Sequence, residues 1–249
     1  MKSTEIDYRG LADSIEEWIR KVVSEASVSG VVVGLSGGLD SAVSAALCAG
    51  ALGPENVLGL IMPCESMQSD TDDGVRIAEH IGIRHRIIDL YPVLHAAVGM
   101  FDDTSVLNIA NIKSRFRMAM LYAYSSGKLV LGTSNYSEIL VGYWTKWGDG
   151  AADLLPIGRL YKDEVRKIAA ALDLPGWVIE RVPSAGLWPG QSDEEEMGVS
   201  YKDIRAYFDS GEISESAAAR IQEMVSSTEH KRNPIVYFRA RKWMEDNGF

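Results

Sequence analysis

The chain has 249 residues, of which 46% are hydrophobic and 24% are charged. This length is enough for one α/β domain with a full core and too short for two large ones, so we expect a single domain over 1–249. The formal net charge of -10 disfavours general binding to nucleic acid or to anionic lipid, because both are polyanions.

The sequence shows no sign of export or of membrane insertion. Its two cysteines, Cys48 and Cys64, form no CxxC pair, so neither a disulfide framework nor a zinc site is indicated. The amino terminus lacks an apolar signal segment, and the chain has no run of about 18 apolar residues. We therefore expect a cytoplasmic protein that does not span a membrane.

In chain order, strands alternate with helices. Apolar residues at helical spacing predict an amphipathic helix over 10–26, and a β-branched apolar run predicts a buried strand over 31–35. Further strands are predicted at 57–62, 84–89 and 128–132, with helices at 42–52, 70–80, 108–126 and 161–172. This alternation predicts parallel βαβ units in a doubly wound, mostly parallel α/β sheet with helices on both faces.

The second half of the chain is less regular. Segments 133–160 and 183–199 have no clear hydrophobic period, and long irregular segments inside compact domains are usually functional. We expect both to be loops, and the second to be mobile and acidic. Two or three helices are predicted to finish the chain, with the last at 236–246.

The strongest local signal is a glycine-rich segment between the first strand and its helix. Glycines let the backbone approach a ligand closely, and free N–H groups at a helix N-terminus favour an anion. An aspartate beside a phosphate is unfavourable unless a cation lies between them, and Mg²⁺ suits that position. A plain strand-to-helix turn is the alternative. The segment comprises Gly34, Leu35, Ser36, Gly37, Gly38, Leu39, Asp40 and Ser41.

This segment resembles the SGGxDS loop of the ATP-pyrophosphatase (PP-loop) superfamily, and it is not a GxxxxGK[ST] loop. Enzymes with the SGGxDS loop cleave ATP between the α and β phosphates and adenylate a carboxylate or carbonyl oxygen. The resemblance implies an adenine nucleotide alpha hydrolase-like fold and assigns the eight loop residues to ATP. It leaves the member open, since GMP synthetase, asparagine synthetase and tRNA-thiolating enzymes share the loop.

Six later motifs occur in the order found in ammonia-dependent NAD synthetases. The longest are N-I-K-S-R-F-R-M at 111–118, L-G-T-S-N-Y-S-E at 131–138 and G-Y-W-T-K-W-G-D-G-A-A-D at 142–153. Shorter ones are L-Y-K at 160–162, P-S-A at 183–185 and T-E-H-K-R at 228–232. The chain thus resembles that family almost throughout. The resemblance implies ATP-dependent amidation of deamido-NAD by ammonia, through an adenylated intermediate, to give NAD, AMP and pyrophosphate.

Two acidic residues follow predicted strands at the same edge of the sheet. Asp40 follows the first strand and Glu138 follows the strand at 128–132, and the carboxyl ends of parallel strands share one crevice. Asp40 and Glu138 could therefore hold one Mg²⁺ between them. Glu138 taken alone is better explained as a solvated loop acid, and the resemblance favours the metal role.

The resemblance assigns three further residues, Thr133, Lys162 and Ser184, to ATP. Thr133 ends its strand at the same edge. Lys162 lies at a predicted helix start, where the helix dipole disfavours a cation and a phosphate would relieve this. An ordinary solvated lysine is the alternative. Together with Asp40, Lys162 is predicted to be catalytic.

The irregular segment and the carboxyl-terminal region supply the expected dinucleotide contacts. The resemblance implies that Asp149 lies near the reacting carboxyl or the ammonia, where it could take the proton that ammonium must lose; capping a turn is the alternative. A solvated basic surface is the alternative for the pair at 230–231. The residues that the resemblance assigns to deamido-NAD are Arg115, Lys146, Asp153, His230 and Lys231.

The source of ammonia and the assembly are also expected from the resemblance. Gly186 stands where many bacterial relatives carry an acidic residue, which leaves open the residue that completes the ammonia pocket. Glutamine-dependent relatives carry a large additional amidase domain. The glycine-rich segment at 34–41, called the phosphate loop below, begins at residue 34, so we expect no room for such a domain. We therefore expect free ammonia, or ammonia from a separate glutaminase. Relatives of this size are homodimers with the dinucleotide at the subunit interface.

The sequence leaves three alternative functions open. Another adenylating amidotransferase would use ATP with a different carboxylate. A tRNA-modifying enzyme would need a basic surface and usually catalytic cysteines, which the acidic balance disfavours. A non-catalytic nucleotide-binding regulator is disfavoured by the presence of Asp40, Glu138 and Lys162.

Overall fold

The computed structural model describes residues 6–184 and 192–246. Within these residues, four strands form one parallel sheet in the order β3-β2-β1-β4. In the central strand, Val32 pairs with Leu58 on one side and with Val130 on the other. The strands are β1 (Gly30–Gly34), β2 (Val57–Ile61), β3 (Arg84–Ile87) and β4 (Lys128–Leu131).

Helices connect the strands and make up most of the second half. Those of the first half are α1 (Tyr8–Glu25), α2 (Leu39–Leu52), α3 (Gln68–Ile81), α4 (Tyr91–Val98) and α5 (Val106–Ala123). Those that follow β4 are α6 (Tyr136–Val141), α7 (Lys162–Ala171), α8 (Gly176–Ile179), α9 (Asp193–Met197), α10 (Tyr201–Asp209), α11 (Glu215–Ser227), α12 (Glu229–Arg232) and α13 (Ala240–Asp246).

The sheet is covered on both faces, as predicted. Side chains alternate along a strand, so Val31 and Val33 of β1 enter one core with residues of α1, α2 and α7. Val32 enters the opposite core with residues of α4 and α5. A strand buried on both faces explains the continuous β-branched run in the sequence.

The strand order reverses at β1, which positions the functional site. The chain proceeds from β1 through β2 to β3 on one side, and β4 then pairs with the other side of β1. Open α/β sheets bind ligands at such a switch point, outside the carboxyl ends of the strands. β1 leads there into the glycine-rich segment, and β4 leads into α6.

The carboxyl-terminal helices form a third apolar cluster beside that point. Val141 of α6 packs with Met197, Ile204 and Ile221 from α9, α10 and α11. None of the described helices is both long and apolar enough to cross a bilayer. Both cysteines are buried and free of disulfide bonds.

The structure corrects the prediction in the irregular segments. Segment 133–160 contains α6, whose N-terminus is closed by a capping box between Asn135 and Glu138. Segment 183–199 contains α9, which begins at the buried residue Asp193. The final helix starts at Ala240 rather than at 236. Such short helices are specified by caps and tertiary packing, which a hydrophobic period does not detect.

Candidate active site

A cavity of about 840 Å³ opens at the carboxyl ends of β1 and β4. It lies at the switch point of the sheet, where the fold predicts a ligand site. The cavity gathers most of the residues that the sequence assigned to ATP, to metal and to catalysis. Those in its lining are Gly34, Leu35, Ser36, Gly38, Leu39, Asp40, Ser41, Thr133, Glu138, Asp149, Lys162 and Ser184, whereas Gly37 is outside it.

The glycine-rich segment has the geometry of an anion site. Gly37 adopts a positive φ of 80°, and a Cβ there would lie 2.8 Å from the carbonyl oxygen of Asp70. Among the residues that the structure describes, no side chain caps the N-terminus of α2, so its first N–H groups are open to a ligand in the cavity. The Ser41 hydroxyl donates to the Gly38 carbonyl at 3.0 Å and lies 3.2 Å from the Ser36 hydroxyl.

Lys162 lies between the two predicted metal ligands. It is the first residue of α7 and is only 3% exposed. Its Nζ donates to Asp40 Oδ2 and lies 3.5 Å from Glu138 Oε1, while the Asn135 amide donates to Asp40 Oδ1 at 3.3 Å. The Glu138 side chain is 14% exposed. The alternatives of a solvated lysine and a solvated loop acid are therefore both wrong.

Burial and charge shift the titration of these groups in a consistent way. Burial raises the pKa of Glu138 to about 8, against the opposing effect of Lys162 and with a further rise from Asp40. Burial alone would lower the pKa of Lys162, but the attraction of Asp40 and Glu138 outweighs it and raises that pKa. The ammonium therefore stays charged at neutral pH.

A second acidic layer lies behind Glu138, and the sequence reasoning missed it. The Tyr201 hydroxyl contacts Asp193 Oδ2 at 2.9 Å and Glu138 Oε1 at 3.2 Å. The Tyr143 hydroxyl contacts Asp193 Oδ1 at 3.3 Å and Glu196 Oε2 at 2.7 Å. Burial raises the pKa of Asp193. Its acidic sequence context is typical of a solvated surface, so the sequence held no signal for this role.

Arg181 was also missed, although it connects the chain just before the second irregular segment to the phosphate loop. Its Nη1 donates to the Gly37 carbonyl at 3.1 Å and to Asp73 Oδ2 at 2.5 Å. Its Nη2 donates to Asp70 Oδ1 at 2.5 Å. Ser184, three residues further along the chain, lines the same cavity.

Asp149 has a structural role as well as a place in the cavity. Its Oδ1 accepts from the Ser114 hydroxyl at 2.6 Å and from the Thr145 backbone N–H at 3.0 Å. It therefore caps the local turn, as the alternative interpretation held. Its role as a proton acceptor stays a prediction.

The structure separates the basic residues of α5. Arg117 lines the cavity and donates to the Met62 carbonyl and the Ser66 hydroxyl, both at 3.1 Å. Arg115, the residue assigned to the dinucleotide, is not in that lining, and its Nε donates to the Lys146 carbonyl at 3.4 Å. The sequence offered no way to choose between the two, since apolar residues occur on all sides of α5.

The remaining dinucleotide residues are divided among three places. Lys231 lines the main cavity, and its ammonium donates to the backbone carbonyl of Gly142. Lys146 and His230 line a neighbouring depression of about 720 Å³, where the Lys146 ammonium donates to the His230 carbonyl at 2.8 Å. Asp153 lines neither, and its carboxylate accepts from the Val130 N–H at 2.7 Å. Gly186 lies outside the described residues.

Comparison with known proteins identifies the family. Residues 11–235 match the family model described as NAD synthase. The NH(3)-dependent NAD(+) synthetase of Archaeoglobus fulgidus is 43% identical over 244 residues, covering 95% of this chain and 99% of that protein.

Solved structures agree over almost the whole fold. An NMN synthetase from Francisella tularensis has a TM-score of 0.90 at 34% identity, covering 94% of this chain and 100% of that one. An NH3-dependent NAD synthetase from Campylobacter jejuni has a TM-score of 0.81 at 30% identity, with the same two coverages. With the motifs, the sheet and the cavity in agreement, the chain belongs to the NAD synthase family.

Proposed function

We propose that this protein is an ammonia-dependent NAD synthetase, which uses ATP to convert the nicotinate carboxylate of deamido-NAD into the amide of NAD. AMP and pyrophosphate are the other products. The observation that carries the proposal is the buried Lys162 ammonium between Asp40 and Glu138, in a cavity that also receives the glycine-rich loop. Family membership supports the same reaction.

The first step activates the carboxylate. A nicotinate oxygen attacks the α-phosphorus of ATP, the bond from that phosphorus to the bridging oxygen breaks, and pyrophosphate leaves with the electron pair. The N–H groups at the start of α2 and the ammonium of Lys162 stabilise the charge that develops on the leaving group. The product is a mixed anhydride of nicotinate and AMP.

The second step forms the amide. The ammonia nitrogen attacks the carbonyl carbon of the anhydride, and the bond from that carbon to the AMP oxygen breaks. Asp149 lies in the cavity lining, which supports a role in accepting the proton that the nitrogen loses. Water must be kept from the anhydride, because its hydrolysis would waste ATP.

The residues present fit a Mg²⁺ ion that arrives with the nucleotide. Asp40 and Glu138 point their carboxylates at one position, where Lys162 supplies a positive charge. No group of three or more His, Cys, Asp or Glu side chains that could hold a metal occurs within 6–184 and 192–246. Mg²⁺ commonly takes one or two carboxylates together with substrate phosphates and water. When bound, it would neutralise the leaving pyrophosphate.

A second candidate substrate is nicotinate mononucleotide. The similarity to the Francisella NMN synthetase favours it, since that structure covers 94% of this chain at a TM-score of 0.90. The two substrates share the reacting carboxylate and differ in the adenylate half. The depression beside Lys146 and His230 supports the dinucleotide, because it offers further room next to the main cavity and the Lys146 ammonium lies in its lining.

The assembly belongs to the same proposal: we infer a homodimer. Large apolar side chains are exposed along α4 and the start of α5, which supports a contact surface there. Light scattering on the purified protein would measure the mass, and a monomer at assay concentration would contradict the dimer. The side chains are those of Tyr91, Val93, Met100, Val106 and Leu107.

The test is a direct assay of the purified protein with ATP, Mg²⁺, ammonium and deamido-NAD. NAD formation is followed with alcohol dehydrogenase, and AMP and pyrophosphate are measured as co-products. An Asp40→Ala variant serves as the control that ties activity to the loop. ATP conversion to AMP with another carboxylate, and none with deamido-NAD, would contradict the substrate and retain the chemistry.

A further inference from the structure

The ammonium of Lys162 lies at the point where the proposed function needs a divalent cation. Its Nζ contacts Asp40 Oδ2 and lies 3.5 Å from Glu138 Oε1. Mg²⁺ or Mn²⁺ would have to lie about 2 Å from oxygens of the same two carboxylates. An ammonium and a divalent ion cannot both lie there, because two positive centres would repel each other in a buried site.

We propose that Lys162 is a displaceable counter-ion, which holds the metal position until the nucleotide phosphates draw it away. The divalent cation then binds only together with ATP. This inference rests on the proposed function, and it adds an order of binding and a second role for the lysine to that reaction.

The placement of Lys162 allows such a movement. The residue begins α7, and its backbone N–H lies 3.3 Å from the Ser137 hydroxyl, so its main chain is held in place. A lysine carries a compact charge on a flexible four-carbon stem. The ammonium can therefore exchange its partners without any movement of the helix.

The phosphate loop offers the second position for the ammonium. The N-terminus of α2 and the hydroxyls of Ser36 and Ser41 line the same cavity as Lys162. Phosphates bound at this loop would bring several negative charges within reach of the lysine. They would replace the carboxylates as its partners and leave Asp40 and Glu138 free to bind the metal.

The charge balance favours this order. Asp40 and Glu138 together supply at most two negative charges, and the ammonium of Lys162 already offsets one of them. A divalent cation added without phosphate would leave a net positive charge in a buried site, which is unfavourable. A third carboxylate, Asp193, is already engaged with the Tyr201 and Tyr143 hydroxyls.

A simpler role for Lys162 makes a different prediction. If the lysine only binds phosphate, its removal weakens nucleotide binding and leaves the metal affinity of the nucleotide-free protein unchanged. If it holds the metal position, its removal leaves the Asp40 and Glu138 carboxylates without their cation and strengthens that affinity. The sign of the change in metal affinity therefore separates the two roles.

The experiment is a Mn²⁺ titration followed by electron paramagnetic resonance, without deamido-NAD and without ammonium. Wild-type protein is titrated alone and with α,β-methylene ATP, after correction for Mn²⁺ bound by the analogue itself. We expect weak binding alone and binding about a hundredfold tighter with the analogue. Equal affinity in both titrations would overturn the proposal, whether or not any variant folds.

Lys162→Met, titrated alone, should bind Mn²⁺ about tenfold more tightly than wild type. Lys162→Arg is the matched control, since it keeps the charge and should bind as weakly as wild type. The double variant Lys162→Met/Asp40→Asn should lose the gain. Unchanged affinity in Lys162→Met, an equal gain in Lys162→Arg, or a gain that survives in the double variant would each overturn the proposal.

A separate measurement, the amidation assay, tests the proposed function. Failure to form NAD in the amidation assay, with Mn²⁺ binding as expected, would contradict the substrate and keep the displaced lysine. NAD formation together with tight Mn²⁺ binding to the nucleotide-free wild type would support the substrate and overturn the displaced lysine.

Discussion

Two basic residues connect later parts of the chain to the phosphate loop, and they do so by different chemistry. Lys162 is 3% exposed and faces Asp40 and Glu138 with a single ammonium. Arg181 has a side chain that is 26% exposed and spreads three hydrogen bonds over Gly37, Asp70 and Asp73. The first is a point charge on a flexible stem, and the second is a rigid planar fork.

The difference suggests that Lys162 makes contacts that change when a ligand binds, whereas the contacts of Arg181 stay fixed. Lys162 can exchange a carboxylate for a phosphate, because its ammonium has no fixed direction. Arg181 holds the loop backbone and α3 in one arrangement, because all three of its bonds depend on the plane of the guanidinium. Asp40→Asn and Arg181→Lys test this contrast directly, and Asp149→Asn and Glu16→Gln test groups outside it; the four are ordered from the largest expected effect to the smallest.

Asp40→Asn should have the largest effect, because it removes the charge that faces Lys162 and the proposed metal. We expect a loss of about 10³-fold in kcat for NAD formation, with the fold retained because the side chains have the same shape. Thermal unfolding provides the control for folding. A loss smaller than about tenfold would contradict a central role for Asp40.

Asp149→Asn should separate the two chemical steps. The amide would still accept the Ser114 and Thr145 hydrogen bonds through its oxygen, but it could not take a proton. We expect a loss of about 10²-fold in NAD formation, with little change in ATP–pyrophosphate exchange, which reports adenylation. Equal losses in both assays would remove Asp149 from the second step.

Arg181→Lys should show that the planar shape of the guanidinium matters as well as its charge. A lysine keeps the charge and cannot bridge Gly37, Asp70 and Asp73 together, so the loop would be held less firmly. We expect a rise of about tenfold in KM for ATP with a smaller change in kcat. Arg166→Lys, on α7 and outside both cavity linings, is the matched control. A kcat loss without a change in KM would contradict a positioning role.

Glu16→Gln should have the smallest effect and none on catalysis. Burial raises the pKa of Glu16, with partial opposition from Arg9 and Arg20, each 4.0 Å away. A raised carboxyl pKa gives stability that is present below about pH 4.5 and is lost as pH rises through the folded-state pKa. Glutamine cannot ionise, so the variant avoids the penalty that wild type has once Glu16 is ionised. As the pH rises from 5 to 8, the Tm of the variant should therefore come to exceed that of wild type by about 1 °C. A gain at the lower pH only would contradict this sign.

The sequence predicted the sheet well and the site only in part. The four strands lie within two residues of their predicted bounds, because strands buried on both faces leave a continuous apolar signal. The glycine-rich loop was equally visible, since its residues are consecutive. The order of the strands, which creates the switch point, is a property of the fold that no local pattern carries.

The missed residues have partners far away in the chain. Arg181 contacts Gly37 across 144 positions, and Tyr201 contacts Glu138 across 63. Such contacts have no period or spacing in the sequence. Arg115, which the resemblance assigns to the dinucleotide, lies outside the cavity lining, whereas Arg117 lies in it. Residues two apart on a helix do not share a face, and local spacing does not show which face is inward.

The most direct test of the central claim offers the protein both possible substrates at once. Equal amounts of deamido-NAD and nicotinate mononucleotide are supplied with ATP, Mg²⁺ and ammonium, and the products are separated by chromatography. The proposed function predicts that NAD forms first, with AMP and pyrophosphate in equal amounts to it. Formation of NMN in preference to NAD, or of neither amide, would contradict it.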